Sequence, residues 1–454
     1  MSALQTLTEL VHHDDPYRHA PDNLQALQLE AVRERFAQRR KQIRVLEHRA
    51  REAGVDELRS LNDAVGLLFA DANYKSYPEA FVDQGRWDRM TLWLQTLSTF
   101  PISGLDHSKV SSMDTWIAEL RRVGHYVMSS SGTSGKQSFI DQSEADRQLG
   151  AYFTLKNLTW ASSNFRNRGE RSYPTFITLP SGGAYTATER VQKFVEMVGT
   201  PGDVHWMSHV PQSADQLLKA ARLRRAMADG TARPAEIAAF QAETEARTKK
   251  IQGDIAVWMD QLLERRKEPL FITGMMAMLY AIVAAGKARG IEDGEFHPDT
   301  VVSIGGGRKG ADLPADFEAQ CQRFFKLGPT NYMDGYGMGE ISGFCPISHA
   351  TGGWVVPPWL VPLVLDKKGE VLLNPADGRG EAEGRMAFID LMADGRWGGV
   401  ITGDKVVVDF SPRADGLKVP LVRSLARYRD LDEGDEKLSC AGTVDAYVRG
   451  VVEA

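Results

Sequence analysis

Four β-rich runs in the middle of the chain stop at glycine-bearing turns. Tyr126-Val127-Met128 leads into Ser130-Ser131-Gly132-Thr133-Ser134-Gly135-Lys136, and Pro174–Pro180 into Ser181-Gly182-Gly183. Leu270–Thr273 leads into Gly274, and Thr300–Ile304 into Gly305-Gly306-Gly307. Asp203–His209 reads as a further short strand. Helical stretches over Asp141–Lys156, 212–265 (interrupted near Gly230 and Pro234) and Met275–Ala285 alternate with these runs. Strands that alternate with helices and end in glycine predict an α/β fold: mixed sheets flanked by helices, with ligands at the strand ends.

Size and charge narrow the class. The chain has 454 residues, 43% hydrophobic and 25% charged, which suits a globular protein of two or more domains, or of one large domain with subdomains. No uninterrupted apolar run approaches about 18 residues, so no membrane span is expected. The net charge of −6 gives no broad case for nucleic acid as a partner. Three scattered cysteines, Cys321, Cys345 and Cys440, lack metal-ligand spacing and predict a reducing, cytoplasmic setting. The N-terminus around His12-His13-Asp14-Asp15 has no signal-peptide pattern.

Texture divides the chain into a mainly helical region at 1–125, an α/β core at 126–350, and a small β-rich subdomain at 351–454. In the first, Leu29, Val32, Phe36, Ile43 and Leu46 form one apolar stripe, with Arg33, Glu34, Arg40, Lys41 and Arg44 as a solvated face. Trp87, Trp93 and Trp116 read as packing residues. In the core, Met275, Met276 and Met278 read as interior or as the lining of a substrate tunnel. In the last, strands are expected at Val371–Leu373, Met386–Leu391 and Val406–Phe410.

The stretch Ser130–Lys136 offers hydroxyls and backbone N–H groups with little side-chain bulk, which suits the oxygens of a triphosphate. It is not a Walker A loop, which needs glycine where Ser130 stands. A plain turn is the alternative. Further along stand Gly-Gly-Gly-Arg-Lys-Gly at 305–310, Gly-Tyr-Gly-Met-Gly-Glu at 335–340, and Thr402-Gly403-Asp404. Together, in this order, the four segments resemble the adenylate-forming superfamily of acyl-CoA synthetases, peptide-synthetase adenylation domains and luciferases, over roughly residues 126–445. Ser131–Gly135 is similar to that family's SGTTG phosphate loop, Tyr336–Glu340 to its YGMTE motif, and 402–404 to its TGD motif. The 305–310 segment and the N-terminal region resemble acyl-protein synthetases and phenylacetate-CoA-ligase-like members most.

The resemblance implies a role for each matching residue. Ser131, Gly132, Thr133, Ser134 and Gly135 hold the β- and γ-phosphates, and Lys136 adds charge there, although Gln137 and Ser138 replace the family's Pro-Lys ending. Gly305, Gly306 and Gly307 let adenine and ribose lie against backbone. Asp334, Tyr336, Gly337 and Met338 belong to the same nucleotide site; Tyr336 stacks on adenine or, alternatively, is a buried strand-end tyrosine. Glu340 reaches a Mg²⁺ bridging the phosphates, since magnesium needs only one or two carboxylates beside phosphate oxygens. Gly339 stands in place of the family's threonine. Asp404 accepts hydrogen bonds from the ribose, with Arg427 after it; Asp430, in Arg427-Tyr428-Arg429-Asp430, is the alternative.

Asp435 or Asp445 takes the place of the hinge aspartate, beyond which family members carry a C-terminal domain of about 100 residues with a lysine. That domain is expected to be missing, or to come from a partner. The implied reaction is ATP-dependent activation of a carboxylic acid to an acyl-adenylate with release of pyrophosphate. The acyl group then passes to coenzyme A, a carrier-protein thiol, an amine or Cys440. Thr133, Lys136 and Glu340 are the catalytic candidates, and ATP and Mg²⁺ the cofactors. His205 and His209 line the acyl pocket or are core or surface residues. The alternative function is a non-catalytic nucleotide- or acyl-binding module.

Overall fold

The computed structural model describes residues 1–130, 136–184, 186–306 and 312–431. It is a mixed α/β structure of sheets flanked by helices, in two compact units. One contains Met1–Met128, Ser138–Leu149 and the chain from Met338 on; the other contains Ser129–Gln137 and Gly150–Gly337. The helical N-terminal segment and the β-rich C-terminal segment therefore share a unit, and the boundary after Gly337 cuts the Tyr336–Glu340 motif.

The second unit is built on parallel strands. Among its described residues the order is Val204–Ser208, Thr175–Pro180, Phe271–Met275, Val301–Gly305, Tyr332–Tyr336. Helices Thr186–Val198, Ala214–Ala228, Pro234–Glu264, Met276–Ala288 and Phe317–Phe325 fill the connections. The strand at 175–180 is buried except at Pro180, and residues 271–273 of the next are buried, as expected where helices cover a parallel sheet. Trp258, Leu262, Leu279, Ile282 and Phe324 pack under the sheet. Of the methionine cluster only Met276 is buried. Gly274, expected in a turn, lies inside a strand at φ +138°, where a Cβ would sit 2.0 Å from Thr178 Oγ1.

In the first unit the sheet is antiparallel, in the order Leu360–Leu365, Glu381–Asp390, Gly399–Asp409, Leu421–Arg427, Gly353–Val355, Cys345–Ser348. Phe69–Ala70 adds a parallel pairing to Val400–Ile401. Val371–Leu373 is not a strand; it contributes one isolated bridge, Leu365 to Leu372, because Asp366 caps the intervening turn by accepting from the N–H groups of Glu370 and Val371. The stripe from Leu29 to Leu46 is divided between two helices, Leu24–Arg39 and Arg44–Glu52. Arg33 and Arg40 are not simply solvated: they donate to the carbonyls of Leu58, Arg59 and Asp56 at 2.6–2.7 Å. Trp93 and Trp116 are buried around Phe139, at ring distances of 6.4 and 5.6 Å.

The helix expected from Asp141 begins at Glu144 and runs to Ala161. Ser143 caps it: the Asp146 N–H donates to Ser143 Oγ, and the Ser143 N–H to Asp146 Oδ2, both at 3.1 Å. Asp141 is held out of the helix, since its Oδ2 meets Ser98 Oγ and His125 Nδ1 at 2.7 Å in a buried cluster.

At the start of the strand Val204–Ser208, Arg265 hydrogen-bonds Asp203 at 2.6 and 3.0 Å, and His205 meets it at 2.7 Å; these hold the Asp203 carboxyl down at about 2, from an ordinary 3.8. A carboxylate depressed by folding adds stability above its ordinary range and loses that contribution as acid protonates it, here from about pH 4 down to about 2. Asp203→Asn is expected to flatten the fall of the urea midpoint across that window. Midpoint curves parallel to the wild type would show that the pair does not support the fold.

Candidate functional site

Parallel strands leave their C-terminal ends along one edge, and a ligand settles where successive connections leave in opposite directions. In the second unit that switch lies beside Thr175–Pro180, flanked by the strand that follows it in sequence and by Phe271–Met275. The backbone here is close-packed. The Met275 N–H donates to Thr178 Oγ1 at 2.7 Å. Gly183 bridges to Gln212 at φ +105°, and a Cβ there would lie 2.3 Å from the Gln212 carbonyl oxygen. Only glycine fits. Ser181 Oγ and His209 Nδ1 meet at 3.3 Å across the two strand ends. Asp254 accepts from the His209 N–H at 3.1 Å and Ser208 Oγ at 2.8 Å.

Gly305 and Tyr336 end the next two strands, one residue beyond Ile304 and two beyond its partner Asp334. Among the described residues a Cβ on Gly305 would meet only the Gly335 carbonyl, at 3.9 Å, and Gly306 has φ +86°. Tyr336 is buried, 5% exposed. The Gly335 N–H donates to Asp334 Oδ1 at 2.8 Å, which turns that carboxylate back on its own strand. The flanks of the Ser/Gly stretch reach the same edge. The Ser129 N–H donates to the Ala184 carbonyl at 2.7 Å, and Gln137 Nε2 to the Ala214 carbonyl at 3.3 Å. Lys136 is half-buried beside this anchor. Ser131, Gly132, Thr133, Ser134, Gly135, Gly307, Asp435, Cys440 and Asp445 lie outside the described residues.

In the first unit, Thr402-Gly403-Asp404 lies inside the strand Gly399–Asp409. Two features set it apart from plain ladder. Arg385 pairs with Lys405 and Ala387 with Ile401, so Met386 alone opposes three residues. On the other side the partner changes, from Phe69–Ala70 at Val400–Ile401 to Leu421–Arg427 from Asp404 on. Bulges of this kind re-aim side chains. Asp404 is 3% exposed, with Arg427 Nε 3.1 Å from its Oδ1. Asp430, the alternative, is exposed and 3.6 Å from Arg429. Glu340 is half-buried in a turn, and Arg396 Nε donates to its carbonyl at 3.0 Å. Met338 and Gly339 are half-buried and Gly337 is exposed.

A lone carboxylate such as Glu340 fits magnesium, which takes hard oxygen donors and leaves much of its shell to phosphate and water. Among the described residues no group of three or more His, Cys, Asp or Glu side chains is gathered for a metal. Burial pushes the Cys321 thiol up to about 12 and raises that of Cys345 as well, so neither offers a thiolate near neutral pH. His205 stacks on Phe176 at 4.6 Å and pairs with Asp203, a packing role. Among the described residues no helix is long and apolar enough to cross a membrane.

No protein-family model and no curated protein matches the chain. Solved structures do. An open conformation of 2-hydroxyisobutyryl-CoA ligase in complex with 2-HIB-AMP and CoA aligns over 89% of this chain and 70% of the ligase, at 11% identity and a TM-score of 0.52. The thioesterification state of the same ligase aligns over 89% and 68%, at 12% identity and a TM-score of 0.53. The chain shares the fold of these ligases.

Within the ligase fold, Arg385 and Arg396 are the functional-region residues that motif reading misses. Arg385 is buried, donates to the carbonyls of Thr402 at 2.8 Å and Lys367 at 2.9 Å, and lies 4.5 Å from the Tyr428 ring centre. Its only sequence signal is a charged residue next to the apolar run Met386–Ile389. Arg385→Met leaves the buried Thr402 carbonyl and the half-buried Lys367 carbonyl without this donor, and is expected to cost about 1–3 kcal/mol in denaturant unfolding. A change under about 0.5 kcal/mol would show that Arg385 does not hold the bulge.

Proposed function

We propose that the protein activates a carboxylic acid with ATP, forming an acyl-adenylate and pyrophosphate, and then passes the acyl group to a thiol or amine acceptor such as coenzyme A or a carrier protein. The observation that carries this reading is the sheet edge of the second unit. There Gly305 and Tyr336 end their strands, with Gly306 next, on the sheet edge whose other strands are followed by Ala184 and Ala214, which anchor the flanks of Ser131–Gly135. Bare backbone next to an aromatic strand end suits a purine, and a hydroxyl-rich stretch suits phosphate oxygens.

The chemistry asks for alignment rather than a protein nucleophile. A carboxylate is a poor electrophile because its charge shields the carbon, and esterification to AMP supplies a good leaving group. The chain's residues orient the two reactants and neutralise charge as it develops. Ser131, Gly132, Thr133, Ser134 and Gly135 hold the β- and γ-phosphates, with Lys136 as a nearby cation. Gly305, Gly306 and Gly307 admit adenine and ribose, and Tyr336 stacks on the base. Asp404, steadied by Arg427, accepts from the ribose hydroxyls. Glu340 holds Mg²⁺, which when bound offsets charge on the phosphates.

Pyrophosphate release across a panel of carboxylic acids tests the reading. ATP binding without release on any acid, with candidate acceptor proteins present, would favour the binding module instead. Glu340→Gln is expected to lower turnover at least about 100-fold with the fold intact; full activity would refute its metal role. Gly305→Val is expected to leave the melting temperature near wild type, because among the described residues nothing comes closer than 3.9 Å to its Cβ position, and to weaken ATP binding at least about tenfold. Unchanged ATP affinity would place adenine elsewhere.

A further inference from the structure

The turn before the strand Gly399–Asp409 carries an arginine that no motif marks. Arg396 is 1% exposed; two of its guanidinium nitrogens donate hydrogen bonds and the third faces a carboxylate in an ion pair. Nε donates to the Glu340 carbonyl at 3.0 Å, Nη2 donates to Ser342 Oγ at 3.2 Å, and Nη1 lies 3.2 Å from Asp146 Oδ1, itself fully buried. Asp146 accepts from the N–H groups of Asp394 at 2.9 Å, Gly395 at 2.7 Å and Ser143 at 3.1 Å. Asp390 accepts from the N–H groups of Ser342 at 2.5 Å and Met392 at 2.9 Å. Two arginines of the helix Leu24–Arg39 close the cluster: Arg35 donates to the Leu391 carbonyl, and Arg39 to that of Ala393 at 2.9 Å.

A buried ion pair seldom outdoes apolar packing in stability, so what it adds is geometry. A planar guanidinium with its Nε, Nη1 and Nη2 all engaged leaves little freedom to the groups it holds. One of those groups is the backbone of Glu340. We propose that Arg396 is a positioning residue. It fixes the main chain at Glu340, and so the direction in which that carboxylate leaves the chain, in register with the strand bearing Asp404. Asp146 and Asp390 orient Arg396 and Ser342 in turn. The proposal rests on the reading of Glu340 as the metal-holding carboxylate.

The test measures ATP affinity by calorimetry with magnesium and with EDTA, in wild type, Arg396→Lys, Ser342→Ala and Glu340→Gln. Lysine keeps the cation beside Asp146 but cannot serve three acceptors in a plane. Arg396→Lys is expected to bind ATP in EDTA within about twofold of wild type while losing about tenfold of the magnesium-dependent gain, as outer-shell partners of a metal site commonly do. The magnesium concentration for half-maximal pyrophosphate release should rise by the same factor, with turnover recovering at high magnesium. Ser342→Ala, which removes one acceptor without stranding a charge, is expected to shift both readings in the same direction by about threefold. It decides the matter if the lysine variant does not fold. A full magnesium-dependent gain in Arg396→Lys, or in Ser342→Ala should the first not fold, overturns the positioning role provided Glu340→Gln has lost the gain. Retention of the gain in Glu340→Gln overturns the metal reading itself.

Discussion

The ion pair between Arg396 and Asp146 is the constraint around which the first unit closes. A guanidinium taken out of water is expensive unless carboxylates and hydrogen bonds replace its hydration. Burial alone would lower the Arg396 pKa; Asp146 and Asp390 reverse this and hold it above its ordinary value. Satisfying one charge draws in the cap of a helix, the turn at 390–396, the backbone at Glu340 and Ser342, and, through Arg35 and Arg39, the N-terminal helix. The first and last parts of the chain therefore fold as one unit, although several hundred residues separate them. Arg35 carries part of the cost: burial, with Arg39 beside it, lowers its pKa to about 10.

In the second unit the governing constraint is steric. Parallel strands bring their ends together, and the approach of backbone to backbone there leaves no room for side chains. Gly183 against Gln212 and Gly274 against Thr178 are the tightest points. Gly305 is different, because among the described residues nothing comes closer than 3.9 Å to where its side chain would start. Glycines of the first kind serve the fold, whereas a glycine of the second kind keeps space for something else.

The acyl-CoA-ligase fold, shared at 11–12% identity, shows how little of a chain must persist for such a scaffold to recur. What is shared is the course of the backbone; the strand ends, the bulge and the turn described above are this chain's own. Fold alone does not assign chemistry. Here the chemical reading comes from which residues stand at those places, Tyr336 at a strand end and Asp404 in a bulge paired with Arg427.

Much of the parallel unit was legible along the chain, because local apolar runs and glycine breaks mark each strand: 174–180, 203–209 and 300–304 fall within a residue or two of the observed strands at each end. The motifs at 305–310, 335–340 and 402–404 were legible for the same reason, being short and contiguous. Other features were not. The bulge that sets Asp404 depends on a partner strand with fewer residues and on a switch of neighbour from Phe69–Ala70 to Leu421–Arg427, both set by pairing at a distance. Asp141 looked like a helix start until His125 and Ser98 claimed it. Arginines 35, 39, 385 and 396 carry no mark in the sequence, since nothing local reveals that a carbonyl or carboxylate far along the chain will meet them. Sequence by itself determined the elements and the short motifs, because those depend on neighbouring residues. Tertiary structure alone decided which charges are buried and what they hold, because a buried charge is tolerable only where distant partners replace its water.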